Sequence, residues 1–291
     1  MRAICGATAE GKSATPLPHT VCTRRCLLDL IDTPTQLFWV QPNLLLYGDD
    51  FRIFTIPVGG TPERLGRGPG SFSFEQFSVD SVGDRVAAGT SDCPQCHGPV
   101  TVLSVPSGAL VGRLGGTKLD NVTPSLSPDG KQVVLVRYDS GRAKGIWTAS
   151  ADGSHLQRLV PNGFTPLWSP DGGTIAYQQS NALRVVPPQG GASTTLVQRG
   201  VDAIFGWSPD GKQIAFQRRG RRLGVVSELE VVDLGTRKVR KLLLLRFAPS
   251  VAWSPNSQEL LVKTQPRFDN RCASLWRVPA GGSKPQLLRH C

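Results

Sequence analysis

The residues most suggestive of chemistry are Cys93-Pro94-Gln95-Cys96-His97-Gly98, in a chain of 291 residues. Two thiols two residues apart, followed directly by an imidazole, match the attachment pattern of a c-type haem, in which Cys93 and Cys96 reach the vinyl groups and His97 is an axial ligand. The flanking sequence weighs against that reading. "RVAAG" before it and "VTVLSV" after it read as strands, so the motif falls at a hairpin tip with little apolar surface to bury a porphyrin, and Met1 is the sole methionine that would serve as a sixth ligand. A zinc site is a second reading: Cys22, Cys26, Cys93 and Cys96 supply four thiolates if the N-terminal segment folds over this loop. Redox chemistry of the pair is a third. The preferred reading is structural, with a small disulfide inside the loop, pairings shared with Cys22 and Cys26, or free thiols.

Other reactive groups are dispersed. His19, His97, His155 and His290 do not recur at any fixed interval, as ligands of a central metal would, and there is no Gly-x-Ser-x-Gly elbow or phosphate loop. Cys272 and Cys291 lie almost equidistant from Gly281-Gly282, so antiparallel pairing across that turn would favour a bridge between them. Seven cysteines point to an oxidising compartment, periplasmic or extracellular, although "MRAICGATAEGKSATPLPHTVC" shows no apolar core of a signal peptide. The net charge of +11 favours an acidic partner. The densest basic run, Arg218, Arg219, Arg221 and Arg222, sits at an expected hairpin tip, as a solvated loop or an anion-binding patch. No apolar run is long enough to span a membrane.

The elements that must position these groups are repetitive. "LSPDGKQVVLV" (126–136), "LWSPDGGTIAY" (167–177), "GWSPDGKQIAF" (206–216) and "AWSPNSQELLV" (252–262) share one pattern. Pro128, Pro170, Pro209 and Pro255 preset the turn's second position. Asp129, Asp171 and Asp210 suit the third, and Gly130, Gly172 and Gly211 the positive φ that follows. Apolar runs on both sides make each a hairpin. "FSVDSVGDRVAAG" (77–89) is read as a degenerate copy with Ser78 as its serine, Val79 in place of Pro and Phe77 in place of Trp; "FWVQPNLLLYG" (38–48) is a shortened one. A second turn recurs at glycines 59, 108, 153, 190, 235 and 281, at intervals of 37 to 49 residues. Both series give six units of four antiparallel strands. Gly and Pro make up 55 of the 291 residues, in excess of the usual share, which suits a turn-rich, all-β chain. The predicted architecture is therefore an all-β, six-bladed β-propeller over 37–291, preceded by an extension over 1–36 with a short helix over 21–31. Trp168, Trp207 and Trp253, with Leu126 equivalent to them, are expected to pack between blades.

The WSPDG-type repeat resembles that of the TolB-like β-propeller family, over about 37–291. The resemblance implies the six-bladed propeller, and the family's founding member is a periplasmic protein of a cell-envelope complex with a separate α/β domain before its propeller. Only some 36 residues precede the first unit here. The reading is a non-catalytic binding scaffold for a protein or cell-envelope component, expected as a monomer without a cofactor and not directed at specific nucleic acid. The alternatives are a propeller enzyme, lyase or hydrolase, with a metal in its channel, and a haem or metal protein acting through Cys93, Cys96 and His97.

Overall fold

The structure, a computed structural model, describes residues 36–41, 44–49, 52–57, 63–65, 77–80, 83–89, 99–115, 120–139, 142–220, 227–245, 250–264 and 274–289. Among them every regular element is a β-strand. The helix expected over 21–31 lies outside the described residues.

Two compact units are present, Met1–Arg142 with Ala149–Gln157, and Ala143–Thr148 with Arg158–Cys291. The first holds the sheet β1 (Gln36–Gln41), β2 (Leu44–Asp49), β3 (Arg52–Pro57), β4 (Glu63–Arg64) and the sheet β5 (Phe77–Val79), β6 (Arg85–Gly89), β7 (Val100–Ser104), β8 (Leu110–Leu114). Strands β9 (Asp120–Leu126), β10 (Gln132–Asp139), β11 (Arg142–Ser150) and β12 (Gln157–Val160) form the next sheet, which is shared between the units. The second unit adds β13 (Phe164–Trp168), β14 (Ile175–Gln179), β15 (Ala182–Val186), β16 (Thr194–Val197), then β17 (Val201–Trp207), β18 (Gln213–Arg218), β19 (Ser227–Asp233), β20 (Val239–Leu245), and β21 (Ser250–Trp253), β22 (Glu259–Thr264), β23 (Ser274–Pro279), β24 (Gln286–Arg289). Each sheet keeps its four strands in chain order, because each strand pairs antiparallel with the one that follows it in the chain.

Burial explains the unbroken apolar triplets of the repeat. A strand covered on both faces is apolar throughout rather than alternating. In β18, Ile214 and Phe216 join Ala176, Leu183 and Val197 of the preceding sheet, while Ala215 on the opposite face joins Leu260, Val262 and Val278 of the following one. First strands lie beside first strands: β13 contacts β17, and β17 contacts β21.

The Ser-Pro-Asp-Gly turn is a closed hydrogen-bond circuit. Ser208 N–H donates to Gln213 O (2.8 Å), and Gly211 N–H donates to Ser208 O (2.9 Å). The Ser208 hydroxyl donates to Asp210 (2.6 Å) and accepts from Gln213 N–H (2.9 Å), while Asp210 also accepts from Lys212 N–H (3.1 Å). Ser127 with Asp129 and Ser169 with Asp171 repeat the serine-to-carboxylate bond at 2.6 and 2.5 Å, and Ser254 donates likewise to the Asn256 amide oxygen at 2.7 Å. Gly211 takes φ 71°, the left-handed region that this step requires; Ser257 fills the same position at φ 61°. Its hydroxyl accepts from Asp210 N–H (3.0 Å), so the non-glycine residue ties its turn to the preceding sheet.

The degenerate copy at 77–89 has a different register from the one its letters suggest. Asp80, not Ser78, occupies the serine position. Asp80 N–H donates to Arg85 O (3.2 Å), Gly83 N–H donates to Asp80 O (3.3 Å), and Asp80 Oδ1 accepts from Asp84 N–H (2.9 Å) and Arg85 N–H (3.3 Å). Val79, rather than Phe77, is therefore the counterpart of the tryptophans. The geometry overrides the match because the turn is defined by the spacing from its acceptor to the left-handed glycine, Gly83 here.

Trp207 and Trp253 do pack between sheets. Trp168 is buried, and Trp207 and Trp253 are half-buried against the hydrophobic clusters. Trp207 Nε1–H donates to Leu167 O (3.2 Å) and Trp253 Nε1–H to Gly206 O (3.3 Å), each reaching the residue before the tryptophan position of the preceding sheet. Leu126 has no indole, and there Leu126 N–H donates to the Ser78 hydroxyl (2.9 Å) instead.

Candidate functional site

An antiparallel meander sends alternate turns to opposite ends of a sheet. At one end the first and third turns are bonded together, with Leu234 N–H donating to Lys212 O (3.0 Å) and Ala151 N–H to Lys131 O (2.8 Å). At the other end lie the hairpins between second and third strands and the links between sheets. Val201 N–H donates to Asn181 O (2.9 Å) and Arg219 N–H to Gly200 O (2.8 Å), fixing the link before β17 to both flanking hairpins.

A group of charged side chains stands at this second end of the β17–β20 sheet. Arg218, the last residue of β18, directs Nε–H to Glu230 Oε2 (2.7 Å) and Nη1–H to Arg199 O (2.7 Å), with its guanidinium 5.6 Å from the Phe216 ring centre. Strand register explains the meeting: Arg218 pairs with Glu228 and Phe216 with Glu230, so all four side chains share one face. Glu230 is buried, and burial pushes its carboxyl above the ordinary carboxylate range, against the pull of Arg218. Its neighbour Glu228 is held below that range, chiefly by the Lys241 ammonium at 2.5 Å. Arg219 donates through Nε and Nη2 to Asp202 Oδ1 (3.2 and 2.6 Å).

Of the four arginines in the basic run, Arg218 and Arg219 are thus committed to carboxylates of their own chain. Arg221 and Arg222 lie outside the described residues, as do Cys22, Cys26, Cys93, Cys96, His97, Cys272 and Cys291. Arg199, in the link before β17, is exposed. Register recognises what composition did not. Glu228, Glu230, Lys241 and Asp202 carry no sequence motif, and only the alternation "SELE" placed opposite "FQR" hinted that acids would meet Arg218.

The acids of the first turns are structural. Each of Asp129, Asp171 and Asp210 is held below the usual range, first by the serine hydroxyl that donates to it. His155 stands in a turn, its Nδ1 beside the Ser154 hydroxyl (2.8 Å). Among the described residues no group of three His, Cys, Asp or Glu is arranged to hold a metal ion.

No family model matches the chain, and no curated protein matches it significantly. Solved structures do. A putative TolB from Agrobacterium tumefaciens is 16% identical, with 74% of this chain covering 83% of that one at a TM-score of 0.58. TolB from Acinetobacter baumannii is 17% identical over 82% of this chain, at a TM-score of 0.58, and the chain spans 61% of its length. An oligogalacturonate lyase in complex with manganese is 10% identical over 85% of this chain and 73% of its own, with a TM-score of 0.66. At these identities the likeness is one of fold, that of a TolB-like β-propeller.

Proposed function

We propose that the protein is a non-catalytic scaffold that presents the hairpin end of its sheets to an acidic protein or cell-envelope component, working as a monomer in the periplasm or outside the cell. The observation that carries this reading is the charge balance at the end of the β17–β20 sheet. Arg218, Arg219 and Lys241 are matched by Glu230, Asp202 and Glu228, so the basic excess falls to Arg199 in the link and to Arg221 and Arg222, which lie between β18 and β19 in the sequence. Such charges at a surface raise association rates with acidic partners and lose effect as salt rises. The TolB-like fold and the absence, among the described residues, of a helix long and apolar enough to cross a membrane are consistent with that setting. We further read 37–291 as a closed six-bladed propeller and 1–36 as an extension; the shared strand order of the successive sheets supports this, and small-angle scattering tests it.

The functional test is binding of polyglutamate and of phosphatidylglycerol vesicles to wild type and to a triple Arg199→Glu, Arg221→Glu, Arg222→Glu variant. The expected result is binding to one of the probes that weakens with salt and falls at least about tenfold in the variant. Equal binding by both proteins, or none by either, overturns the reading.

A second reading, a propeller enzyme with a metal in its channel, is favoured by the fold likeness to the manganese-bound lyase. Titration calorimetry with Mn²⁺ tests it, and heat at micromolar metal would support it. The haem or metal reading of Cys93, Cys96 and His97 predicts a covalent adduct in the intact mass or a retained ion in the native spectrum; a mass reporting disulfides alone supports the structural reading, including a Cys272–Cys291 bridge.

A further inference from the structure

We propose that the open edge of β20 takes an extended segment of an acidic partner protein as a fifth strand, with Val239, Lys241 and Leu244 on one face reading an apolar–acidic–apolar alternation. This rests on the acidic-partner reading above and names the surface and the shape of the partner. Among the described residues the β17–β20 sheet ends at β20, whose one strand partner is β19. An end strand carries a row of main-chain donors and acceptors able to pair with another chain.

Three observations set this edge apart. At seven residues β20 is longer than the other outer strands, which have two, five, four, four and four. Register places Val239 opposite Val232, Lys241 opposite Glu230 and Leu244 opposite Glu228, so all three share the face that carries Glu228 and Glu230. On that face Val239 is 39% exposed and Leu244 57%, at the two ends of the strand. The register shift between Leu229 and Glu230 lets Leu244 join the series three residues after Lys241.

Charge selects the partner. Arg237 and Lys238 precede the strand and are exposed, Lys241 lies within it, and Arg246 follows it in sequence. A lysine on an edge strand ordinarily repels an incoming strand. Here Glu228 draws the Lys241 ammonium back along its own sheet at 2.5 Å, which blunts that protection. An incoming glutamate would face Lys241 from the open side while apolar residues two positions before and after it cover Val239 and Leu244.

The test uses the full chain and a fluorescent, end-blocked ten-residue peptide, Thr-Val-Thr-Glu-Thr-Val-Thr-Glu-Thr-Val, which puts alternating Val and Glu on one face, followed by anisotropy. Wild type is expected to bind it, Leu244→Asp and Lys241→Glu each to bind at least about tenfold more weakly, and Leu110→Asp on the outer strand β8 to bind as wild type does. Exposed positions are chosen so that folding is retained, and circular dichroism confirms it. A peptide with proline at its centre should also bind weakly, because it cannot complete the main-chain ladder. No binding by wild type, equal loss in Leu110→Asp and Leu244→Asp, or equal binding of the proline peptide overturns the inference. If the peptide fails while polyglutamate still depends on Arg199, Arg221 and Arg222, the edge is excluded and the acidic-partner reading stands.

Discussion

The turns at Asp80 and Ser208 trace the same backbone circuit and reach it with opposite electrostatics. At Ser208 a neutral hydroxyl sits buried at the pivot, and the carboxylate of Asp210 stays at the exposed rim, where hydroxyl and N–H donors favour its charged form. At Asp80 the carboxylate itself is the pivot. It is buried, and burial outweighs the N–H donors of Arg85, Asp84 and Gly83, raising its pKa. The neighbours follow suit. The Asp80 turn leans on Gly130 of the next sheet, whose carbonyl accepts from Arg85 Nη1 (2.6 Å), whereas the sheets after Ser169 and Ser208 are linked by indole N–H groups. One backbone turn therefore tolerates two pivots, provided that the surroundings are built for each.

The sharpest way to break the comparison is to add a methyl group at equivalent glycines. A Cβ on Gly130 would stand 2.4 Å from Asp80 Oδ2, while one on Gly211 would meet nothing nearer than Pro170 Cδ at 3.9 Å. Both pay for positive φ, so Gly211→Ala should cost about 1 kcal/mol in urea denaturation. Gly130→Ala adds overpacking and should cost about 3 kcal/mol. Equal losses would mean that the two junctions are packed alike.

Removing the charged pivot comes next. Asp80→Ala leaves the Asp84 and Arg85 N–H groups without their acceptor and should lower stability by about 2 kcal/mol. It should also lessen the cost of Gly130→Ala, a coupling that a double-mutant cycle measures. Trp207→Phe, which keeps the ring packing but loses the bond to Leu167 O, should cost about 1 kcal/mol. No change in the unfolding midpoint would show that the indole bond contributes nothing.

The smallest effect is in pH dependence, and its sign differs between the regions. Because the folded pKa of Asp80 lies above its ordinary 3.8, the folded state holds the proton more readily, so this group's stabilisation is full below that value and lost as pH rises through the raised one. Asp210 has a lowered folded pKa, so its stabilisation is present above 3.8 and lost as pH falls through the lowered value. Urea midpoints between about pH 3 and pH 7 should therefore show a shallower acid decline in Asp210→Asn and a steeper one in Asp80→Asn. The same change in both variants would contradict the assignment.

Sequence alone determined the all-β class, the four-stranded units and the turn positions, because Pro, Asp and Gly act through local backbone preferences and triplets such as Ile214-Ala215-Phe216 report burial on both faces. It also foresaw that Trp207 and Trp253 pack between sheets. It misread the register at 77–89, since the letters Ser78 and Asp80 fit the motif while the hydrogen bonds that define the turn start two residues later. Only the tertiary structure decided that Arg218 and Arg219 are neutralised by Glu230 and Asp202, and that Lys241 is drawn to Glu228. Those partners are 12, 17 and 13 residues away along the chain and are brought together by strand register and by the link to the preceding sheet, which no local preference encodes.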